Sequence, residues 1–384
     1  MSPSLRILIL TPTAYPTPTG NASTTERWRR FLSREGQEVL VVATEGLSPI
    51  ELERRLIDFK PEIVHLHHAY RTGSLFLALP QALAGPPWTL VVSPGGTDLS
   101  LDTYQRDRRP IITRIFEGAK AIIAQSEEMI QQIGHSYPDV RGKVAFLPKS
   151  FCWMGDEAFD LREVAHCGPE DILFFYPAGI RPVKGNLKAL LLLEKVHRLR
   201  PKIRAVFSGP VIDKAYGERF KAEVNLLFFF ARWLFLIPFQ AMRSAYTGAD
   251  IVLNASSSEG LSNALLEAKA AGKPILASDI PGNRWPVRGG GEGAPAGLLF
   301  DPESPEHFVQ QALRLIDEEE LRRALGDNGR EQAAKMPTPE EEARGLVQIY
   351  QEALKQGGRR EPGRFDGKNQ TGDQRLSARS ERPL

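Results

Sequence analysis

Short runs of β-branched and large apolar residues alternate with longer amphipathic stretches along most of the chain, and this rhythm constrains the fold more than any other feature. The runs are Arg6–Leu10, Glu38–Ala43, Ile63–His67, Thr89–Ser93, Ala121–Gln125 and Val144–Leu147. After a break they resume at Ile172–Tyr176, Ile203–Ser208, Trp233–Ile237, Ile251–Ala255 and Pro274–Ser278. Nearly continuous apolar strands separated by helices predict parallel sheets covered on both faces. Right-handed crossovers then give a doubly wound α/β fold. The break, Phe151–Asp171, is polar and rich in turn residues such as Gly155-Asp156-Glu157 and Gly168-Pro169-Glu170-Asp171. The expected division is a first domain over 1–155, a linker over 156–170 and a second domain over 171–337. An amphipathic helix over 338–356 follows, with Leu346, Ile349, Tyr350 and Leu354 on one face. Residues 357–384 lack periodicity and are expected to be a disordered tail.

Composition narrows the function. A chain of 384 residues has room for two cores. The formal net charge is +2; residues 357–384 hold seven Arg/Lys and four Asp/Glu, +3, which leaves −1 for the body, and nothing suggests a nucleic-acid binder. Two cysteines, Cys152 and Cys167, are too few for a disulfide framework or a thiolate metal site, which fits a reducing cytoplasm. Met1 to Leu10 runs straight into a strand without an export-signal pattern. The greasiest stretch, Leu226–Phe239, is interrupted by Arg232 and falls short of the roughly 20 apolar residues a spanning helix needs. It reads as a helix end followed by a buried strand, with peripheral contact to the inner membrane face as the alternative.

The strongest candidate for chemistry follows the run Ile251–Ala255. There the sequence Ser257-Ser258-Glu259-Gly260-Leu261-Ser262-Asn263-Ala264-Leu265-Leu266-Glu267-Ala268 sets two carboxylates eight residues apart. Glu259 is expected in the loop and Glu267 about two turns into the next helix. Ligands of open α/β sheets bind at the carboxyl ends of strands. Gly260 lets backbone approach a ligand closely, and the helix start offers free N–H groups and a positive dipole end suited to phosphate. A carboxylate can accept two hydrogen bonds from a vicinal diol. Two such groups would bracket a nucleotide-sugar, one on the sugar and one on the ribose.

This segment, continued by Ala271-Gly272-Lys273-Pro274-Ile275-Leu276-Ala277-Ser278, resembles the E-x7-E signature of glycosyltransferase family 4. The resemblance implies a GT-B fold, two Rossmann-like domains facing a cleft. It also implies that Glu259 touches the donor sugar, Glu267 the ribose, and Gly260, Leu261 and Ser262 the sugar and phosphates. Within that family the chain is most similar to the glycosyltransferase-1-domain-containing protein 1 group. The stretches that carry this are Gly20-Asn21 with Thr25-Glu26-Arg27, His68-Ala69-Tyr70-Arg71-Thr72-Gly73, Gly95-Gly96-Thr97-Asp98, Gly179-Ile180-Arg181-Pro182-Val183-Lys184, Ser208-Gly209-Pro210 and Ile280-Pro281-Gly282-Asn283. Part of the pattern is also similar to selenosugar synthases, whose acceptor is selenophosphate.

Arg181 and Lys184 follow the first strand of the second domain. Cations there would stabilise a leaving diphosphate more in the transition state than in the ground state. Their three-residue spacing is shorter than the commonest family spacing and matches the named group. The loop Thr19-Gly20-Asn21-Ala22 leads into a helix expected to be capped by Ser23 or Thr24, and Gly20 and Asn21 are candidates for donor phosphate contact. His68, Arg71, Thr97, Asp98 and Asn283 are candidates for the acceptor side of the cleft. His65, His67 and His68 do not form a compact metal cluster, because a strand sends the first two to one face and His68 to the other. No Asp-x-Asp occurs, and no metal or other cofactor is expected. Gly291-Glu292-Gly293-Ala294-Pro295-Ala296 reads as a loop rather than a dinucleotide fingerprint, since Pro295 spoils the phosphate turn.

The expected function is transfer of a sugar from a UDP- or GDP-linked donor to an acceptor: a sugar, a lipid-linked sugar or a small molecule. The resemblance implies retention by front-face attack, with the departing phosphate helping to take the acceptor proton. A sugar-nucleotide epimerase and a non-catalytic nucleotide-sugar binder are the rivals. Neither acceptor nor oligomeric state is legible.

Overall fold

The structure is a computed structural model that describes residues 4–80, 82, 86–289 and 293–357. The first sheet comprises β1 (Arg6–Thr11), β2 (Glu38–Ala43), β3 (Ile63–His67), β4 (Thr89–Ser93), β5 (Ala121–Ala124) and β6 (Val144–Phe146). The second comprises β7 (Ile172–Pro177), β8 (Ile203–Ser208), β9 (Ala231–Leu234), β10 (Ile251–Asn254), β11 (Ile275–Ser278) and β12 (Gly297–Phe300). The spatial orders are β2-β1-β3-β4-β5-β6 and β12-β11-β10-β7-β8-β9, and every pairing is parallel.

Alternation within each strand builds a core on both faces of each sheet. Leu8 and Leu10 of β1 join one cluster with Phe76, Ile112 and Phe116, while Ile7 and Ile9 join another with Trp28 and Leu346. In β7, Phe174 and Tyr176 pack on one face, and Leu173 and Phe175 on the other. Each fully buried side chain of this kind contributes roughly 1.5–3 kcal/mol.

The order of strands reverses between β1 and β3 in the first sheet and between β7 and β10 in the second. Crevices open at the carboxyl ends of strands where the order reverses. The segments that leave these four strands therefore position the site.

The last helix, Pro339–Gly357, starts where Thr338 and Glu341 exchange side-chain and backbone hydrogen bonds. It returns to the first domain, burying Leu346, Ile349 and Tyr350 against Ile7, Trp28 and Ile63. Tyr350 Oη lies 2.8 Å from His65 Nδ1, and His65 Nε2 lies 2.9 Å from Ser93 Oγ. Burial lowers the His65 pKa to about 3, so this ring is a neutral packed group of the strand.

Three details differ from the sequence expectations. The strand placed at Trp233–Ile237 is Ala231–Leu234. It is an edge strand paired only with β8, and the chain leaves it after Leu234, so that Phe235 is 62% exposed instead of buried; Phe228, in the turn before the strand, is 63% exposed. The segment 156–170 is not all linker, because a short helix, Leu161–Val164, places Leu161 and Ala165 in the second core. The first helix begins at Gly20 with Thr19 as its cap, not Ser23 or Thr24, because Thr19 Oγ1 accepts from the Ala22 amide. Of the tail expected over 357–384, Gly357 ends the last helix, and 358–384 lie outside the described residues, as do Gly291-Glu292 of the Gly-rich loop. No described helix is long and apolar enough to cross a membrane.

Candidate active site between the two domains

The segments after β7 and β10 are locked together. Tyr176, at the end of β7, donates its hydroxyl proton to the Lys184 carbonyl and accepts from the Ala255 amide at 3.0 Å. Gly185 has φ 63°, and a Cβ there would stand 2.4 Å from the Ala255 carbonyl, so only glycine fits. This geometry brings Lys184 Nζ to 2.6 Å from Glu259 Oε1. Ser256 Oγ and Asn254 Nδ2 donate to the same oxygen at 2.7 and 3.2 Å. Burial alone would raise the Glu259 pKa, but the Lys184 charge and these hydrogen bonds outweigh it and hold the carboxyl below its ordinary range.

Glu267 sits in the helix Asn263–Ala270, four residues after Asn263 and so about one turn in, not two. It lines a narrow pocket with Ser23, Arg27, Cys152, Phe239, Met242 and Asn263, drawn from both domains. Burial pushes its carboxyl up to about 7 against the opposing pull of Tyr246, Lys149 and Arg27. Lys149 follows β6 and donates to the Leu261 carbonyl at 3.1 Å. Burial, reinforced by Arg27, brings its pKa down to about 7, while Glu342, Glu259 and Glu267 oppose the change.

Two helix starts meet across the gap. Asn263 Nδ2 donates to the Gly20 carbonyl at 3.0 Å and to Ser23 Oγ at 2.9 Å. Asn21 is half-buried in the first turn of that opposing helix. The backbones of Gly96 and Gly260 also touch, since a Cβ on Gly96 would lie 2.0 Å from the Gly260 nitrogen. Ser262 Oγ accepts from Asn254 Nδ2 at 3.2 Å, which ties the helix start to β10. Arg181 is half-buried beyond β7, and burial lowers its pKa. Glu259 opposes that shift, while Arg71 of the first domain adds to it.

The other first-domain candidates form one network. His68 lies 2.8 Å by Nδ1 from Asp98 Oδ1 and 2.9 Å by Nε2 from Thr97 Oγ1. Asp98 is wholly buried and accepts from the amides of Ala69, Tyr70 and Gly95, so it stands behind the cleft wall instead of lining it. Asn283 is buried too. Its Nδ2 donates to the Ser278 carbonyl at 3.0 Å, Ser278 Oγ donates to the Ser256 carbonyl at 2.6 Å, and Ser256 holds Glu259. Asn283 thus braces the Glu259 loop from behind. Ligand atoms of His68, Asp98 and Asp102 come within 4.8 Å of one another. Asp98 is already supplied with N–H donors and Asp102 pairs with Arg108 at 2.6 Å, so the donor set fits a hydrogen-bond network better than a cation.

Tyr176, Lys149, Arg27, Asn254, Ser256 and Asn263 were not singled out for the site in the sequence. Lys149 and Tyr176 do carry a signal, each lying at or just beyond the carboxyl end of an apolar run. Arg27 stands in a stretch that supported the resemblance but had no role.

Comparison with known proteins agrees with this architecture. Residues 160–332 match the family model described as Glycosyl transferases group 1. The Glycosyltransferase 1 domain-containing protein 1 of Xenopus tropicalis is 24% identical over 321 residues, covering 81% of this chain and 88% of its own. The D-inositol 3-phosphate glycosyltransferase of Segniliparus rotundus is 28% identical over 211 residues, 53% of this chain and 44% of its own. Among solved structures, sucrose-phosphate synthase of Thermosynechococcus elongatus superposes with a TM-score of 0.74 at 15% identity, covering 91% of this chain and 99% of that one. Anabaena HepE in complex with UDP and glucose gives 0.72 at 14% identity, covering 90% and 99%. The chain thus has the GT-B fold, and within it residues 160–332 match the Glycosyl transferases group 1 model.

Proposed function

We propose that this protein transfers a sugar from a nucleotide-sugar to an acceptor bound from the side of the first domain. The observation that carries this is the Lys184–Glu259 pair at 2.6 Å at the strand-order reversal of the second sheet, with a second partly buried glutamate, Glu267, on the helix that follows. Glu259 takes hydroxyls of the donor sugar, and Glu267 takes the ribose. The start of the helix Asn263–Ala270, with Gly260, Leu261 and Ser262 before it and Gly20 and Asn21 opposite, receives the diphosphate. When the sugar displaces Lys184 from Glu259, the ammonium becomes free to meet the charge that grows on the departing phosphate, together with Arg181. Stabilisation that appears only as the bond breaks accelerates the reaction. We further propose that the transfer retains anomeric configuration and that Arg181 and Lys184 do the work a divalent ion does in other enzymes of this type. Product analysis showing inversion, or dependence of turnover on an added divalent ion, would remove those parts.

UDP is the first nucleotide to try, because solved relatives of this fold were captured with UDP and with UDP-glucose. The acceptor class, lipid-linked or soluble, is open to assay. A thermal-shift screen of UDP-, GDP- and ADP-sugars tests the donor half. A donor at about 100 times its dissociation constant adds about 2.7 kcal/mol of stability. No shift with any of them at millimolar concentration would end the proposal.

A further inference from the structure

The segment that leaves β6 carries a cation into the gap between the domains. Leu147 is buried with Trp28 and Ala343 in the first domain. Ser150, Phe151 and Cys152 line the pocket that also holds Ser23, Arg27 and Glu267. Lys149 lies between these two anchors and is 8% exposed. Its Nζ crosses to the second domain and donates to the Leu261 carbonyl at 3.1 Å.

An ammonium has three N–H donors. Among the described residues the Leu261 carbonyl is the one hydrogen-bond partner of Lys149, and no carboxylate forms an ion pair with it. Arg27, the neighbouring first-domain cation, is by contrast matched by Glu342. A buried charge is costly unless it is paired and hydrogen-bonded, so an ammonium left with a single neutral partner calls for a further one. Burial is the main reason that its pKa falls, to about 7, and Glu259 and Glu267 both act against that fall. The ammonium is thus within electrostatic reach of both glutamates. Leu261 itself stands between them in the chain, just before Ser262 and the helix Asn263–Ala270. Asn263 in turn donates to the Gly20 carbonyl and Ser23 Oγ of the opposing helix start. With the sugar on Glu259 and the ribose on Glu267, the part of the donor that spans this stretch is the diphosphate.

We infer that Lys149 is the first domain's cation for the donor diphosphate, leaving the Leu261 carbonyl to bind phosphate oxygens across from Arg181 and Lys184 of the second domain. This deepens the donor assignment above and rests on it. The flexible four-carbon stem of lysine allows one oxygen partner to be exchanged for another, and a bond between ammonium and phosphate is stronger than one to a neutral carbonyl. The bridge from Lys149 to Leu261 is then replaced by a bridge through the ligand, so both domains hold one group. What this residue recognises is the diphosphate, not the nucleoside.

The test compares UDP, by calorimetry, with uridine, by ligand-observed NMR titration, on the full chain. Lys149→Met keeps an apolar stem and removes the charge. Its affinity for UDP should fall about 10- to 100-fold, the loss expected when a hydrogen bond to a charged group is removed, while uridine affinity stays within about threefold. Lys149→Gln can still donate to the Leu261 carbonyl but carries no charge, and it should lose UDP affinity as Lys149→Met does. Wild-type UDP affinity in Lys149→Met overturns the inference. Wild-type UDP affinity in Lys149→Gln alone also overturns it, because the residue is then a tether between domains. Equal losses for uridine and UDP overturn it too, since the residue then shapes the pocket and does not meet the phosphates. Where GDP or ADP is the nucleotide that the wild-type chain binds, it and its nucleoside take the place of UDP and uridine. A wild-type chain that binds none of the three overturns the donor assignment itself, and this inference with it.

Discussion

Lys184 Nζ and Glu259 Oε1 are 2.6 Å apart, and this contact joins the segments that leave β7 and β10. Both side chains are largely shielded, at 18% and 10% exposure. The pair stores an ammonium beside the place where phosphate charge would develop. Removing one such preorganised group costs about 100- to 1,000-fold in kcat in comparable sites. Glu259→Gln and Lys184→Met are each expected to lower kcat by that order, with affinity for bare UDP changed less than about threefold. Steady-state turnover of a donor sugar together with UDP calorimetry checks this. A loss of UDP affinity as large as the loss of kcat would contradict the roles given to the pair.

Glu267 occupies the opposite end of the proposed donor. Hydrogen bonds to a charged group contribute about 1.5–3 kcal/mol, so Glu267→Ala should weaken UDP binding roughly 10- to 100-fold. Glu259→Ala should leave it nearly unchanged. Calorimetry with UDP alone separates the two, and equal losses would refute the assignment of one glutamate to the sugar and the other to the ribose.

How far these residues could be foreseen follows from how local their signals are. The apolar runs that became β1, β3, β4 and β7 were legible because each strand is buried on both faces. β12 was not, because Gly297-Leu298-Leu299-Phe300 is short and follows a loop without helical periodicity. Glu259 and Glu267 were legible because one loop and one helix carry both. Arg27, Lys149 and Tyr176 were assigned no role because their partners, Glu342, Leu261 and Ala255, are 315, 112 and 79 residues away. Asp98 and Asn283 were legible as residues but not in orientation, since no sequence pattern says whether a loop side chain faces a cleft or braces its wall.

The Glu267 carboxyl is pushed up to about 7 by burial, from an ordinary 4.5. Between those values the folded chain holds a proton that the unfolded chain has lost. Its contribution to stability is therefore complete below about pH 4.5 and disappears as pH rises through about 7. Glu267→Gln removes this dependence. The melting temperature of the variant relative to wild type, without nucleotide, should rise from pH 5 and level off above about pH 7. A difference that stays flat or falls across that range would show that Glu267 is ionised in the folded chain throughout.

Gly96 and Gly260 meet without side chains, and a Cβ on Gly96 would lie 2.0 Å from the Gly260 nitrogen. Gly96→Ala should hold the two domains apart at this point. Turnover should fall at least about tenfold, because a misplacement of about 1 Å in a reacting geometry can cost 100-fold. Binding of bare UDP should persist. Small-angle scattering should show a larger radius of gyration than wild type in saturating UDP. Full turnover with an unchanged scattering profile would mean that the contact is not needed in the working enzyme.

Arg27 and Glu342 form a buried ion pair, with Nε to Oε2 at 2.8 Å and the second guanidinium nitrogen at 3.3 Å from Oε1. Ser150 Oγ and Gln125 Nε2 donate to the same carboxylate at 2.5 and 3.3 Å. The returning helix is thereby fastened to the helix that opens at Gly20, and Arg27 is held against the pocket that contains Glu267. Breaking one partner of such a pair leaves an uncompensated buried charge and costs about 3–5 kcal/mol, whereas replacing both with apolar residues of similar size is often neutral. Glu342→Ala should therefore lower the denaturation midpoint sharply, while the double variant Arg27→Met with Glu342→Leu should recover most of the loss. Nucleotide affinity provides the second comparison. If Arg27 serves only to anchor the helix, the double variant will bind UDP as wild type does. If it also supplies positive charge to the donor pocket, affinity will stay low although stability has returned, and that separation of the two measurements is what the position of Arg27 between Glu342 and Glu267 leads us to expect.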